Sequence, residues 1–157
     1  MSACCARETQ PAVASSDACP LCGRRGVRVD PITLKALLVS DALRRGIPPA
    51  PRFCETPECS VVYFDAAVGV TFTEADVSVP VYAKQGSAPD VPVCYCFEIT
   101  RRMVRAEAER GGAEPASRGI NREVKAGHCA CEVRNPKGSC CLGDVVSEEK
   151  GAMGEEA

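Results

Sequence analysis

The sequence predicts an α+β chain: a small strand and helix unit followed by a helical hairpin. Three observations carry that expectation. The first half holds short β-branched and aromatic runs, "CSVVYF" and "VGVTFT", bounded by turn-forming residues. The second half holds two stretches with helix punctuation. Thr100 stands before "RRMVRAEAER" with Gly111 and Gly112 behind it, and Pro115 heads "PASRGINREVKAG" with Gly127 behind it. Between the halves, "QGSAPDVP" has the Gly, Ser and Pro content of a linker, and cysteines cluster on both sides of it.

Taken in order, "VRVDPIT" reads as a short strand. "LKALLVSDALRRG" then places Leu34, Leu37, Leu38 and Leu43 near helical spacing and stops at Gly46. The two runs named above follow as strands, and "VSVPVYAK" reads as a further one. The expected organisation is a disordered arm over 1–15, a subdomain over 16–90 around the first group of cysteines, a subdomain over 91–147 around the second, and an acidic, disordered tail over 148–157.

Composition explains why cysteine matters. The chain has 157 residues, 45% of them hydrophobic but only 4% aromatic, so its core is built from small side chains that each bury little area. Twelve cysteines and a single histidine accompany that thin core. The N-terminal "MSACCARETQPAVASS" has no apolar run of signal-peptide length, and no stretch is long and apolar enough to span a bilayer. A reducing cytoplasm is therefore expected, where clustered cysteines serve metals or redox chemistry. A net charge of −2 gives no footprint for nucleic acid.

The first constellation is "CPLCG" with "CETPEC". A C-x-x-C turn brings two thiolates to one ion, and Gly23 can take the conformation that aims backbone N–H groups at sulfur. With Cys54 and Cys59 added to Cys19 and Cys22, the set is that of a closed, structural Zn(2+) site, with Arg24, Arg25 and Arg28 near in sequence to offset its surplus charge. Buried reduced thiols or a dithiol redox pair share the same spacing.

The second constellation begins with Cys94 and Cys96, which face the same side if their segment is extended, and ends with Cys129, Cys131, Cys140 and Cys141. C-x-C, a helical spacer and further cysteines resemble the ligand layout of bacterioferritin-associated ferredoxins, which hold a [2Fe-2S] cluster on four thiolates. Six cysteines compete for four places. One solution takes Cys94, Cys96, Cys129 and Cys131; another takes one from each end of the return loop; spacing alone does not choose. Adjacent Cys140 and Cys141 point opposite ways in an extended chain and are not expected to serve together. A Rieske centre needs two histidines, and only His128 exists.

Taken together, "CPLCG", "FCETPECSVVYF", "VPVCYCFEIT" and "CEVRNPKGSCCLG" resemble the N-terminal domain of the CopZ family of copper chaperones, from about Asp17 to Val146. The resemblance implies zinc on Cys19, Cys22, Cys54 and Cys59, and a [2Fe-2S] cluster on Cys94, Cys96, Cys131 and Cys141. Between the last two, "NPKG" reads as a turn with Pro136 second and Gly138 fourth. Full-length members continue into a domain with an M-x-C-x-x-C copper loop. None of Met1, Met103 and Met153 precedes such a motif, so copper delivery does not transfer.

What the resemblance implies is an iron-sulfur and zinc-binding, metallochaperone-like protein, a one-electron accessory in copper or other soft-metal handling. Its partners would be a copper or soft-metal chaperone or transporting ATPase, or an electron-donor protein. The alternative is a non-catalytic, metal-stabilised module that docks a partner protein. Signatures of hydrolytic or transfer enzymes, such as G-x-S-x-G, the P-loop or H-E-x-x-H, are missing. Cys4 and Cys5 form a vicinal pair able to hold a soft ion, although incidental thiols are the simpler reading.

Overall fold

The computed structural model describes residues 17–154; the expected disordered arm and the Cys4–Cys5 pair lie outside the described residues. The chain is mixed α and β. A four-stranded antiparallel sheet runs in the order β1 (Val27–Arg28), β2 (Arg52–Phe53), β3 (Val61–Asp65), β4 (Val70–Thr73). All five residues of β3 are buried, because both of its faces are covered. Val62 and Tyr63 join Phe53, Phe72, Leu34, Leu37 and Leu38 in one core, while Val61 and Phe64 pack with Cys19, Cys54 and Cys59 in another.

The first expected strand is shorter than its sequence run, since Asp30 caps a helix. Its Oδ1 accepts the Ile32 N–H at 2.9 Å, and Pro31 opens α1 (Pro31–Leu37). The single helix expected through Leu43 is broken into α1 and α2 (Ser40–Arg44). At the break Leu38 and Val39 are extended, the Val39 N–H donates to Asp76 O at 2.9 Å, and the Ser78 N–H donates to Leu37 O at 2.8 Å. Breaking there lets adjacent Leu37 and Leu38 both enter the core, which a continuous helix would point about 100° apart. The strand expected in "VSVPVYAK" reduces to one bridge between Val77 and Leu38, after which Pro80 removes a donor and Tyr82–Lys84 form a 3-10 turn.

The second half opens with a hairpin of β5 (Pro92–Cys94) and β6 (Ile99–Thr100). Thr100 caps α3 (Arg101–Glu109) through the Met103 N–H, and Pro115 precedes α4 (Ala116–Lys125). Gly111 and Gly127 follow the two helices with positive φ. A short α5 (Cys131–Arg134) leads through the "NPKG" turn to α6 (Leu142–Gly154). Val93, Cys94, Val104, Ile120, Cys141 and Val145 form the core of this half.

Helix α6 corrects the expectation of a disordered tail from 148. Val145, Glu148, Glu149 and Ala152 are buried at helical spacing against α3 and α4. The two glutamates tolerate burial because each has partners. Glu148 accepts from Tyr82, Arg101 and Arg105, and Glu149 accepts from the Ser117 N–H and hydroxyl at 2.8 Å each. Among the described residues no helix is long and apolar enough to cross a membrane.

Candidate metal centres

The knuckle forms locally. The Gly23 N–H donates to Cys19 O and the Cys19 N–H to Arg24 O, both at 2.8 Å, with Gly23 at φ 72°. That turn aims the Leu21 and Cys22 amides at the Cys19 sulfur and the Arg24 amide at the Cys22 sulfur. The second pair brackets a strand crossing: Cys54 follows β2 and its N–H donates to Val62 O at 2.8 Å, while Cys59 precedes β3.

These folds bring the Sγ atoms of Cys19, Cys22, Cys54 and Cys59 within 4.8 Å of one another, with Cys19 to Cys59 at 3.8 Å and Cys22 to Cys54 at 3.7 Å. Thiolates on a tetrahedral zinc, with Zn–S near 2.3 Å, stand about 3.8 Å apart. Donor chemistry and spacing therefore both fit that ion. Cys19, Cys54 and Cys59 are buried, and burial pushes the Cys59 thiol up to about 12. Cys22 is brought down to about 6, chiefly by the Thr56 hydroxyl 3.4 Å from its sulfur. The sequence signal for Thr56 is its place inside "CETPEC", between the two cysteines. Of the three nearby arginines, Arg25 is largely exposed and paired with Asp17 at 3.2 Å.

The second set is arranged differently. Cys96 and Cys131 approach at 3.7 Å, and the Cys141 thiol is a close enough neighbour of Cys94 to be the main perturbation of its sulfur. Among the described residues, the first set alone has three or more ligand atoms within 4.8 Å of one another. Cys94, Cys131 and Cys141 are buried and Cys96 is half-buried, whereas Cys140 is exposed and Cys129 half-buried. The Ala130 N–H donates to Cys96 Sγ at 3.2 Å, and the Cys96 and Phe97 amides reach the Cys94 sulfur. Cys94 is lowered to about 6, mainly through the Cys141 thiol, while burial raises Cys131 to about 12.

Four basic residues near this set have other partners. Arg101 is buried on Glu148, Arg102 pairs with Asp90, and Lys137 meets Asp144 at 2.5 Å. His128 is exposed on Glu123.

A mixed fold holding one closed group of four thiols, with further paired thiols beside a helical unit, defines a cysteine-rich metal-binding protein. Similarity narrows the class. The CopZ family described as "Zinc binding domain" matches residues 16–78, a span that contains the whole first set. The copper chaperone CopZ of Archaeoglobus fulgidus is 36% identical over 140 residues, which is 85% of this chain and 65% of that protein. The X-ray structure of the Archaeoglobus fulgidus CopZ N-terminal domain superposes with a TM-score of 0.66 at 32% identity, covering 83% of this chain and 95% of that one. The chain belongs to the family of CopZ N-terminal, zinc-binding domains. It spans just under two thirds of the length of the full CopZ relative.

Proposed function

We propose that this chain is a redox accessory in copper or other soft-metal handling, with zinc on Cys19, Cys22, Cys54 and Cys59 as scaffold. A [2Fe-2S] cluster on Cys94, Cys96, Cys131 and Cys141 is its working centre. The observation that carries the reading is the arrangement of the second set in two thiol pairs, Cys96 with Cys131 at 3.7 Å and Cys94 with Cys141. Each pair suits two thiolates on one metal, and the set as a whole is wider than a single-ion site. Sulfur is the expected donor for such a cluster, and four is its usual ligand number.

When bound, the cluster supplies one-electron oxidation and reduction. The chain's own part is to hold and tune it. The amides of Ala130, Cys96 and Phe97 stabilise thiolate charge, and Phe97, Ile99 and Leu142 pack against the core that includes Cys94 and Cys141. Because Cys96 is the half-buried member, its side is the one an electron partner approaches. The likeness to a protein named as a copper chaperone supports the soft-metal setting, with a chaperone, a transporting ATPase or an electron donor as partner.

The test is the visible spectrum of protein purified without oxygen, before and after dithionite. Sulfur-to-iron bands that bleach, and that Cys94→Ser and Cys141→Ser abolish, are expected. A sample that stays colourless after anaerobic reconstitution with iron and sulfide overturns the redox reading. It would favour the alternative, a docking module, for which an apolar groove of about 340 Å³ beside the hairpin, lined by Phe97, Ile99, Met103 and Ile120, is the supporting feature.

A further inference from the structure

The segment that carries Cys131 and Cys141 follows the linker in sequence, yet its seat is in the first half of the chain. Helix α5 packs on α1. The Thr33 hydroxyl donates to Glu132 O at 2.6 Å, and the Tyr63 hydroxyl donates to Pro136 O at 2.5 Å. Both residues are 0% exposed, so each hydroxyl is a buried donor whose acceptor, among the described residues, comes from this segment.

The turn is shaped for the seat. The Gly138 N–H closes it onto Asn135 O at 2.7 Å, and buried Asn135 clamps it from within, donating to Ser139 O at 2.9 Å and accepting from the Lys137 N–H at 3.2 Å. Gly138 sits at φ 68°, and a Cβ there would lie 2.9 Å from Thr33 Oγ1 and 3.4 Å from Val29 Cγ1.

The far side of the seat is tied to the first thiol set. Tyr63 pairs in register with Phe53, their rings 5.9 Å apart, and Phe53 is followed directly by Cys54. Strand β3, which carries Tyr63, is thus joined to β2 through the connection that begins at Cys54 and holds Cys59.

We propose that Thr33 and Tyr63 are positioning residues for the cluster: their buried hydroxyls hold the 131–141 segment in ligating shape, so cluster retention depends on the zinc half. This rests on the reading of Cys131 and Cys141 as cluster ligands. A loop tethered only at its two ends would lose those sulfurs readily, because its backbone would have to be ordered afresh at every rebinding. The seat supplies that fixation before any cluster is present.

The experiment is hydrogen exchange by mass spectrometry on the full chain with zinc bound, first without cluster and then after reconstitution, alongside the rate of iron release to a chelator. Thr33→Val and Tyr63→Phe keep shape and remove one donor each. Gly138→Ala keeps both donors and displaces the turn. All three are expected to retain zinc and the protection of β3 and β4. Peptides covering 131–141 should exchange on the order of tenfold faster without cluster, the scale of a lost buried hydrogen bond, and iron release should quicken by a similar factor. Unchanged exchange over 131–141 in the folded variants overturns the seat. Faster exchange with unchanged iron release overturns the positioning role. A wild-type chain that takes up no iron overturns the cluster reading, while the exchange measured without cluster still decides the seat.

Discussion

Glu148 lies between two guanidiniums, its own side chain 8% exposed and that of Arg101 5%. Its Oε1 accepts from Arg101 Nε at 2.7 Å and from the Tyr82 hydroxyl at 2.6 Å, and its Oε2 accepts from Arg105 Nε at 3.0 Å. Arg101 also donates to Ala88 O at 2.8 Å and lies 4.8 Å over the Tyr82 ring, so one carboxylate fastens α3, α6 and the linker together. Removing it strands a buried cation. Glu148→Ala is expected to lower stability by about 3–5 kcal/mol in urea unfolding, the usual cost of breaking a buried pair from one side. The same carboxylate sets a pH dependence. Burial pushes its pKa up, but the hydrogen bonds from Tyr82, Arg101 and Arg105 outweigh burial and leave it below the ordinary glutamate value. A lowered folded-state pKa contributes stability that is complete above the unfolded value, about 4.3, and is lost as pH falls through the folded one. Glu148→Gln should therefore be less stable than wild type near neutral pH and converge on it in acid; parallel curves at all pH values would show that the charge is not what matters.

At the scale of elements, α6 shows why part of the fold was legible in the sequence and part was not. Its buried stripe of Val145, Glu148, Glu149 and Ala152 has helical spacing, but half of it is carboxylate, so "SEEKGAMGEEA" reads as solvated. Only the partners turn acid into core, and Arg101 and Arg105 stand 47 and 43 residues away in sequence. The break at Leu38 and Val39 was hidden for the same reason, since its cause is pairing with Asp76 and Val77. Local signals fared better: the Thr100 cap, the glycines behind α3 and α4, and the C-x-x-C knuckle all act within a few residues. In the second set, spacing left Cys129, Cys131, Cys140 and Cys141 competing, because their pairing is decided by where α5 and α6 dock. Truncation after Val146 separates the two readings of the tail. A disposable tail would leave the melting temperature unchanged; with α6 as core, loss of Glu148, Glu149 and Ala152 should abolish cooperative unfolding of the second half by near-ultraviolet circular dichroism.

For the whole molecule, the two thiol sets are not equivalent in what depends on them. Cys19, Cys54 and Cys59 are themselves core, packed with Val61 and Phe64 under the sheet. In a chain this poor in aromatic residues, a metal there replaces area the side chains do not supply, and structural zinc contributes apparent free energies of about 10 kcal/mol or more. The second set rests on the first half through Thr33 and Tyr63, whereas no contact from the second set reaches the knuckle among the hydrogen bonds described. Dependence should therefore run one way. Stripping iron from reconstituted protein, or using Cys94→Ser with Cys141→Ser, is expected to leave one zinc per chain and the protection of β2, β3 and β4 intact. Stripping zinc under reducing conditions should release iron as well, with a rate set by opening of the sheet rather than by iron-chelator concentration. Zinc and iron assayed together over a chelation time course decide the matter. Zinc that leaves when only iron is removed would mean the halves fold as a single cooperative unit, with neither serving as scaffold for the other.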